Sequence, residues 1–402
     1  MPQAPLLDPD RAIELVLEHT PVGEVITVPI DQALGRCLAE PLVAATSQPP
    51  FARALMDGFA VRAADAGRQL PVAGTSAAGK PFDRALPEGS AVEIMTGAPC
   101  PDGTDAGVKE EDTTRHGDRV ELPAHVALGS NLQPAGALWE RGSTILQAQT
   151  VLSPLSLATA IGGGCSLAAV HRAPSLAVLT TGDELSDTGG GLEAAQIYDS
   201  NGPMLAAMAR QLGVTAVERL HADDDADELA RVLERAARAD IVVISGGVSM
   251  GRFDLVPHIV ETLGARTVFH KVRQKPGKPL LFAERKGKLI FGLPGTPLGS
   301  HLGFHRYVAP CIRQWMGRST MPSPRVGKLA GPLEAHGQRT LFRLVRAELD
   351  ESGWQIDPLR WHGSTDVIGP ALANGYCRLE PGAGSLPAGS EISWEPIEGA
   401  AP

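Results

Sequence analysis

Two lysines separated by a Pro-Gly kink, Lys275-Pro276-Gly277-Lys278-Pro279, stand between short apolar runs that read as strands. A second Pro/Gly turn, Gly292-Leu293-Pro294-Gly295-Thr296-Pro297, follows them. Proline fixes φ and removes a donor, while glycine lets the backbone come close to a ligand. Such a turn can aim two ammonium groups and nearby amide N–H groups at one anion. With 36 basic against 46 acidic residues in the chain, the local cluster Lys271, Arg273, Lys275 and Lys278 is an exception to the overall charge and reads as an anion site. Ser245-Gly246-Gly247 follows the apolar run 241–245 and can offer close backbone N–H groups at a strand-to-loop nest, or serve only as a tight turn. Asp183, Glu184, Asp199 and Asp254 are carboxylates on candidate strand-end loops, able to accept from a ligand or to share Mg²⁺ with phosphate oxygens. Asp254 also fits a helix N-cap.

These residues need a frame. Residues 10–20 carry apolar positions at helical spacing, and a second helix follows the Ser153-Pro154 cap signal over 152–161. Residues 45–139 hold short strands broken by Gly, Pro and Asp, a β-rich module of its own. Over 175–322 the rhythm changes. Strands are expected at 175–180, 214–220, 241–245, 266–271, 279–284 and 288–292, with helices at 202–212, 225–238, 254–263 and 297–315. That alternation predicts a parallel, doubly wound α/β domain, in which ligands bind beyond the carboxyl ends of the strands. Residues 323–402 read as a small C-terminal β domain, and 1–44 with 140–174 as an elongated N-terminal or linking domain. The fold class is therefore α/β plus β, multidomain.

The bulk numbers exclude several classes. At 402 residues, two to four domains are expected. A net charge of −10 without a basic stripe argues against nucleic-acid or membrane-surface binding. Five widely spaced cysteines with no CxxC pair argue for reduced thiols rather than a disulfide frame or zinc site. No apolar signal core or membrane-length run is present, so the expected compartment is cytoplasmic.

Seven ordered motifs then resemble one family. Met56-Asp57-Gly58-Phe59-Ala60, Ile94-Met95-Thr96-Gly97-Ala98-Pro99, Thr181-Gly182-Asp183-Glu184-Leu185, Ile197-Tyr198-Asp199-Ser200-Asn201, Ser245-Gly246-Gly247-Val248-Ser249-Met250-Gly251, Lys275-Pro276-Gly277-Lys278-Pro279 and Gly292-Leu293-Pro294-Gly295 occur in the order of the molybdopterin molybdenumtransferases, the family of bacterial MoeA and the gephyrin E domain. The resemblance implies an elongated homodimer whose 175–322 domain binds molybdopterin. It also implies a Mg²⁺-assisted reaction of adenylylated molybdopterin with molybdate that gives molybdenum cofactor and AMP. The implied catalytic residues are Asp57, Glu184, Asp254, Lys275 and Lys278, with Asp57 and Asp254 handling the metal. The implied substrate contacts are Thr96, Asp183, Asp199, Ser245, Gly246, Gly247, Ser249, Pro294, Gly295, Thr296 and Pro297. A molybdopterin adenylyltransferase and apo-molybdoenzymes are the implied protein partners.

The chain departs from the family pattern at several positions. Leu138 stands where the family has an acidic residue near the site, Thr296 replaces an asparagine, and Gly299 replaces a small hydroxyl residue. Arg53-Ala54-Leu55 replaces Asn-Ser-Ala, and Lys109 stands at an apolar position. Leucine neither binds a cation nor accepts a proton, so two readings follow. One is an active molybdenum-inserting transferase; the other is a divergent paralogue that binds or carries the pterin without efficient metal insertion.

Overall fold

The computed structural model describes residues 6–248, 255–321, 323–334, 337–360, 363–367 and 371–400. The chain forms two compact units, one of residues 27–170 and one of residues 1–26 with 171–402.

Helix α1 (Pro9–His19) opens the chain, with Asp8 as N-cap and Pro9 in its first turn. The 27–170 unit holds β1 (Gly58–Val61), β2 (Gln69–Ser76), β3 (Ala91–Ile94), β4 (Ala106–Lys109), β5 (Thr114–His116) and β6 (Arg119–Glu121). They form one sheet in the order β4-β1-β3-β2-β6-β5. Gly58 is required where β1 begins: its φ is +150°, and a Cβ there would lie 2.0 Å from the Val108 carbonyl oxygen. Helix α2 (Pro154–Gly162) starts on a Ser153/Ser156 capping box, as the Ser-Pro signal predicts.

The second unit carries the α/β sheet of β7 (Leu176–Thr181), β8 (Val217–Ala222), β9 (Ile241–Ser245), β10 (Arg266–His270), β11 (Leu281–Arg285) and β12 (Lys288–Leu293). Its order is β8-β7-β9-β12-β11-β10. Every residue of β7 and β9 is buried, as expected of strands covered on both faces. Leu176, Val178, Ile241 and Val243 pack against α1, α3 (Asn201–Gln211) and the long helix that ends the domain. Ala177, Leu179, Val242 and Ile244 face α4 (Ala226–Ala236) and α5 (Val256–Thr262) on the other side. The sheet is doubly wound and parallel except at one strand. β11 runs antiparallel to both neighbours because Lys286-Gly287, at φ 51° and 76°, closes a two-residue hairpin between β11 and β12.

The helix expected at 297–315 is one helical rod with a π-helical turn inside it. Residues Pro297–Gly303 form α6, Phe304–Val308 the π turn, and Ala309–Trp315 α7. Beyond it, β13 (Arg325–Leu329), β14 (Thr340–Asp350), β15 (Gly353–Pro358), β16 (Gly375–Leu379) and β17 (Glu391–Pro396) close into a small barrel in the cyclic order β14-β15-β13-β17-β16. The barrel is stitched to the α/β domain by a two-residue parallel pairing of Gln274–Lys275 with Thr340–Leu341. All five cysteines are free thiols.

Candidate active site

At the carboxyl ends of β7, β9 and β12 lies a cavity of about 860 Å³. Its floor is the loop after β9. Gly246 and Gly247 hold φ of +106° and +61°, and a Cβ on Gly246 would sit 2.7 Å from the Thr181 carbonyl oxygen. Only glycine fits, so the backbone itself faces the ligand space. Ser245, buried, turns its hydroxyl inward: Oγ donates to the Pro294 carbonyl at 3.3 Å and lies 3.0 Å from Ser300 Oγ. Asn201 Nδ2 bonds Ser245 Oγ at 3.0 Å and the Gly295 carbonyl at 2.7 Å, locking the loops after β9 and β12 together. Asn201 Oδ1 is buried with no partner among the described residues.

The lysine turn lines the same cavity. Lys275 and Lys278 both line the cavity, and among the described residues neither makes an ion pair, whereas Arg273 is bound to Asp8 at 2.6 Å. The four-cation cluster expected from sequence thus loses Arg273 to a structural pair. Arg339, immediately before β14, takes its place on the cavity wall and donates to the Gln274 carbonyl at 3.4 Å. Ser364 lines the cavity as well.

Carboxylates enter from the loops after β7 and β8. Glu184 and Asp224 line the cavity. Asp224 accepts from the Thr181 hydroxyl at 2.9 Å, and its own N–H donates to Asp183 at 2.8 Å. Asp183 therefore braces the wall rather than forming it. Asp199 is one step further out: its carboxylate accepts from Thr180 Oγ1 at 3.1 Å and from the Gly202 N–H at 2.9 Å, outside the cavity lining. Pro297 starts α6 and is not in the lining either. Ser249 and Asp254 lie outside the described residues.

Asp57 and Thr96 belong to the other unit and bond one another. Asp57 Oδ1 accepts from the Thr96 N–H at 2.6 Å and from its hydroxyl at 2.7 Å. The backbone bond first and the hydroxyl second hold this carboxyl below the usual carboxylate range, so it is an anion at neutral pH. Leu138, in the same unit, is 58% exposed.

Residues 7–164 match the MoeA N-terminal region (domain I and II), and residues 177–314 match a probable molybdopterin binding domain. The chain is 31% identical over 391 residues to a molybdopterin molybdenumtransferase of Staphylococcus aureus (strain MRSA252), covering 95% of this chain and 93% of that protein. The chain belongs to the molybdopterin molybdenumtransferase family. A Staphylococcus epidermidis molybdopterin molybdenumtransferase is 30% identical over 392 residues, again with 95% of this chain and 93% of that protein. The fold agrees with the crystal structure of the molybdopterin biosynthesis MoeA protein from Pyrococcus horikosii at a TM-score of 0.82, with 29% identity, 98% of this chain and 100% of that one.

Membership gives the geometry its context. Of the residues expected in the site, Glu184, Ser245, Gly246, Gly247, Lys275, Lys278, Pro294, Gly295 and Thr296 meet in one cavity. Sequence reasoning missed Asn201, Asp224, Arg339 and Ser364. Asn201 ends a motif in which Asp199 drew the attention, and Asp224 lies in an acidic run that reads as solvated surface. Arg339 and Ser364 come from the barrel, which no strand-end rule connects to an α/β sheet.

Proposed function

We propose that this chain inserts molybdate into adenylylated molybdopterin and releases AMP, yielding molybdenum cofactor. The observation that carries the reading is a single cavity lined by Lys275 and Lys278, which make no ion pair among the described residues, together with Arg339 and the Ser245-Gly246-Gly247 loop. The cations would hold a tetrahedral dianion and offset charge on the departing phosphate. The Ser245-Gly246-Gly247 loop, where glycine lets the backbone come close, would hold the phosphate or the pterin. Asp57, held ionised by Thr96, is proposed as a further catalytic or metal-handling carboxylate.

Mg²⁺ fits such a site as an ion shared with the substrate. The described residues contain no group of three or more metal-ligating side chains, but Mg²⁺ is commonly held by one or two carboxylates plus phosphate oxygens. Glu184 and Asp224 are the carboxylates on the cavity wall that would hold it, where it would neutralise phosphate charge.

A homodimer is part of the same proposal. Helix α2 buries only Ala160, while Leu155 is 82% and Ile161 57% exposed, an apolar face suited to a second copy of the chain. A molybdopterin adenylyltransferase would supply the substrate and apo-molybdoenzymes would take the product. No described helix is long and apolar enough to cross a membrane, and the proposed compartment is the cytoplasm.

The test is AMP release from purified protein given adenylylated molybdopterin, with and without molybdate. Molybdate-dependent AMP is the expected result. Tight pterin binding without it would favour a carrier, the outcome that the Leu138 replacement raises.

A further inference from the structure

The lysine turn does not hold its own shape. Gln274, fully buried, sits at its base and donates from Nε2 to the Gly277 carbonyl at 3.2 Å, inside the turn. The other end of that amide, Oε1, accepts from the hydroxyl of Tyr307, also fully buried. Tyr307 lies in the π-helical turn Phe304–Val308, which carries three consecutive buried polar side chains, His305, Arg306 and Tyr307. In a regular α-helix, three residues in a row fan over most of the circumference. The widened turn lets all three face polar partners instead. Arg306 bonds both oxygens of Glu395 in the barrel, at 3.0 and 3.1 Å, and stacks 4.6 Å over Phe342, three residues after Arg339. One π turn therefore touches both arms of the cation wall: Tyr307 through Gln274 to the lysines, and Arg306 through Phe342 to β14, which Arg339 immediately precedes.

We propose that Tyr307, acting through the Gln274 amide, is a positioning residue for oxyanion capture by Lys275 and Lys278. The Tyr307 hydroxyl fixes which way the Gln274 amide points. The amide in turn fixes the Gly277 carbonyl, which lies between the two lysines. Burial raises the phenol's pKa further, so the group stays a donor throughout the working pH range. Cations preorganised in this way lose little freedom when the anion arrives, which is where positioning becomes affinity. No part of this chain of contacts reaches the Ser245-Gly246-Gly247 loop, so that loop's own hold on a ligand is unaffected.

The inference rests on the proposed reaction for its ligand, and the experiment separates the two. Molybdate alone is titrated calorimetrically into the wild-type protein and into Tyr307→Phe and Gln274→Met, which keep side-chain volume. Adenylylated molybdopterin binding is measured beside it. The expected result for Tyr307→Phe is about fivefold weaker molybdate binding, the scale of one hydrogen bond, with a smaller loss for adenylylated molybdopterin, which the Ser245-Gly246-Gly247 loop also holds, and KM for molybdate rising more than kcat falls. Gln274→Met should lose at least as much, and the double variant no more than Gln274→Met, because both changes break one chain. Wild-type molybdate affinity in a folded Tyr307→Phe protein overturns the proposal, as do additive losses in the double variant. Absence of molybdate binding by the wild type refutes the proposed reaction instead.

Discussion

The two ends of the α/β sheet treat charge in opposite ways. At the amino ends of β7, β9 and β12, Asp240 is surrounded. Its carboxylate takes Arg172 at 2.8 Å, Lys288 at 2.8 Å, and the Ser175 N–H and hydroxyl at 2.9 Å each. The Asp240 charge is matched by Arg172 and Lys288. At the carboxyl ends, Lys275 and Lys278 line the cavity and have no such partner among the described residues. A satisfied cluster ties strands together; an unsatisfied one is held open at the expense of stability and suits a ligand. The pairing of its charges, more than their number, separates the structural end from the chemical one.

The comparison breaks most sharply at Lys278. Lys278→Ala should lower kcat/KM for molybdate-dependent AMP release by about 100-fold, the usual scale for deleting one preorganised charge-stabilising donor. Thermal unfolding should be unchanged, since the ammonium has no ion-pair partner among the described residues to lose. A fall in Tm as large as that of an Asp240 variant would erase the distinction between the two ends.

Gly246→Ala comes next. The new Cβ must adopt φ +106° and meets the Thr181 carbonyl oxygen at 2.7 Å, so the loop after β9 has to move. A cost of about 2 kcal/mol in stability and a loss of about tenfold in pterin binding are expected. Denaturant melts and pterin titration check the two effects separately.

At the other end, Asp240→Asn should destabilise by about 1–2 kcal/mol at pH 7, between the values for exposed and buried ion pairs, with AMP release unchanged. The pH dependence has a definite sign. Burial acts to raise the Asp240 pKa, but the bonds from Arg172, Lys288 and Ser175 outweigh it and hold the carboxyl well below its ordinary range. A carboxyl depressed in the fold contributes stability above the unfolded value of about 4 and loses it as pH falls through the folded value. The Tm gap between wild type and Asp240→Asn should therefore narrow from about pH 4 downward. A gap that widened on acidification would mean that the pair does not hold Asp240 ionised.

How much of this was legible in the sequence follows from the same physics. Buried strands such as Ile241–Ser245 and the capped helix after Ser153 announce themselves by composition and spacing. The lysine turn was equally plain, because proline and glycine between two like charges leave few other readings. The antiparallel β11 was missed because a parallel doubly wound rhythm was expected and Lys286-Gly287 carries only one glycine. Arg273's pairing with Asp8 joins residues 265 positions apart, which no local pattern encodes. Arg339 and Ser364 reach the cavity because the barrel pairs with Gln274–Lys275 and packs on α6, where the Leu298 N–H donates to the Ser364 carbonyl; these contacts are far apart in sequence.

The smallest effect is expected where the two kinds of charge meet. Asp183 lies beside the cavity, exposed, accepting from the Asp224 N–H at 2.8 Å. Asp183→Asn keeps an oxygen for that bond and removes only a charge, so the loop geometry should persist. With one anion fewer near the lysines, molybdate should bind slightly tighter, by no more than about twofold, the scale of an exposed ion interaction. The gain should vanish in 1 M salt, where the screening length falls to about 3 Å. Loss of affinity at low salt would instead make Asp183 a direct ligand group, and would move the boundary between bracing and binding residues outward by one position along the loop.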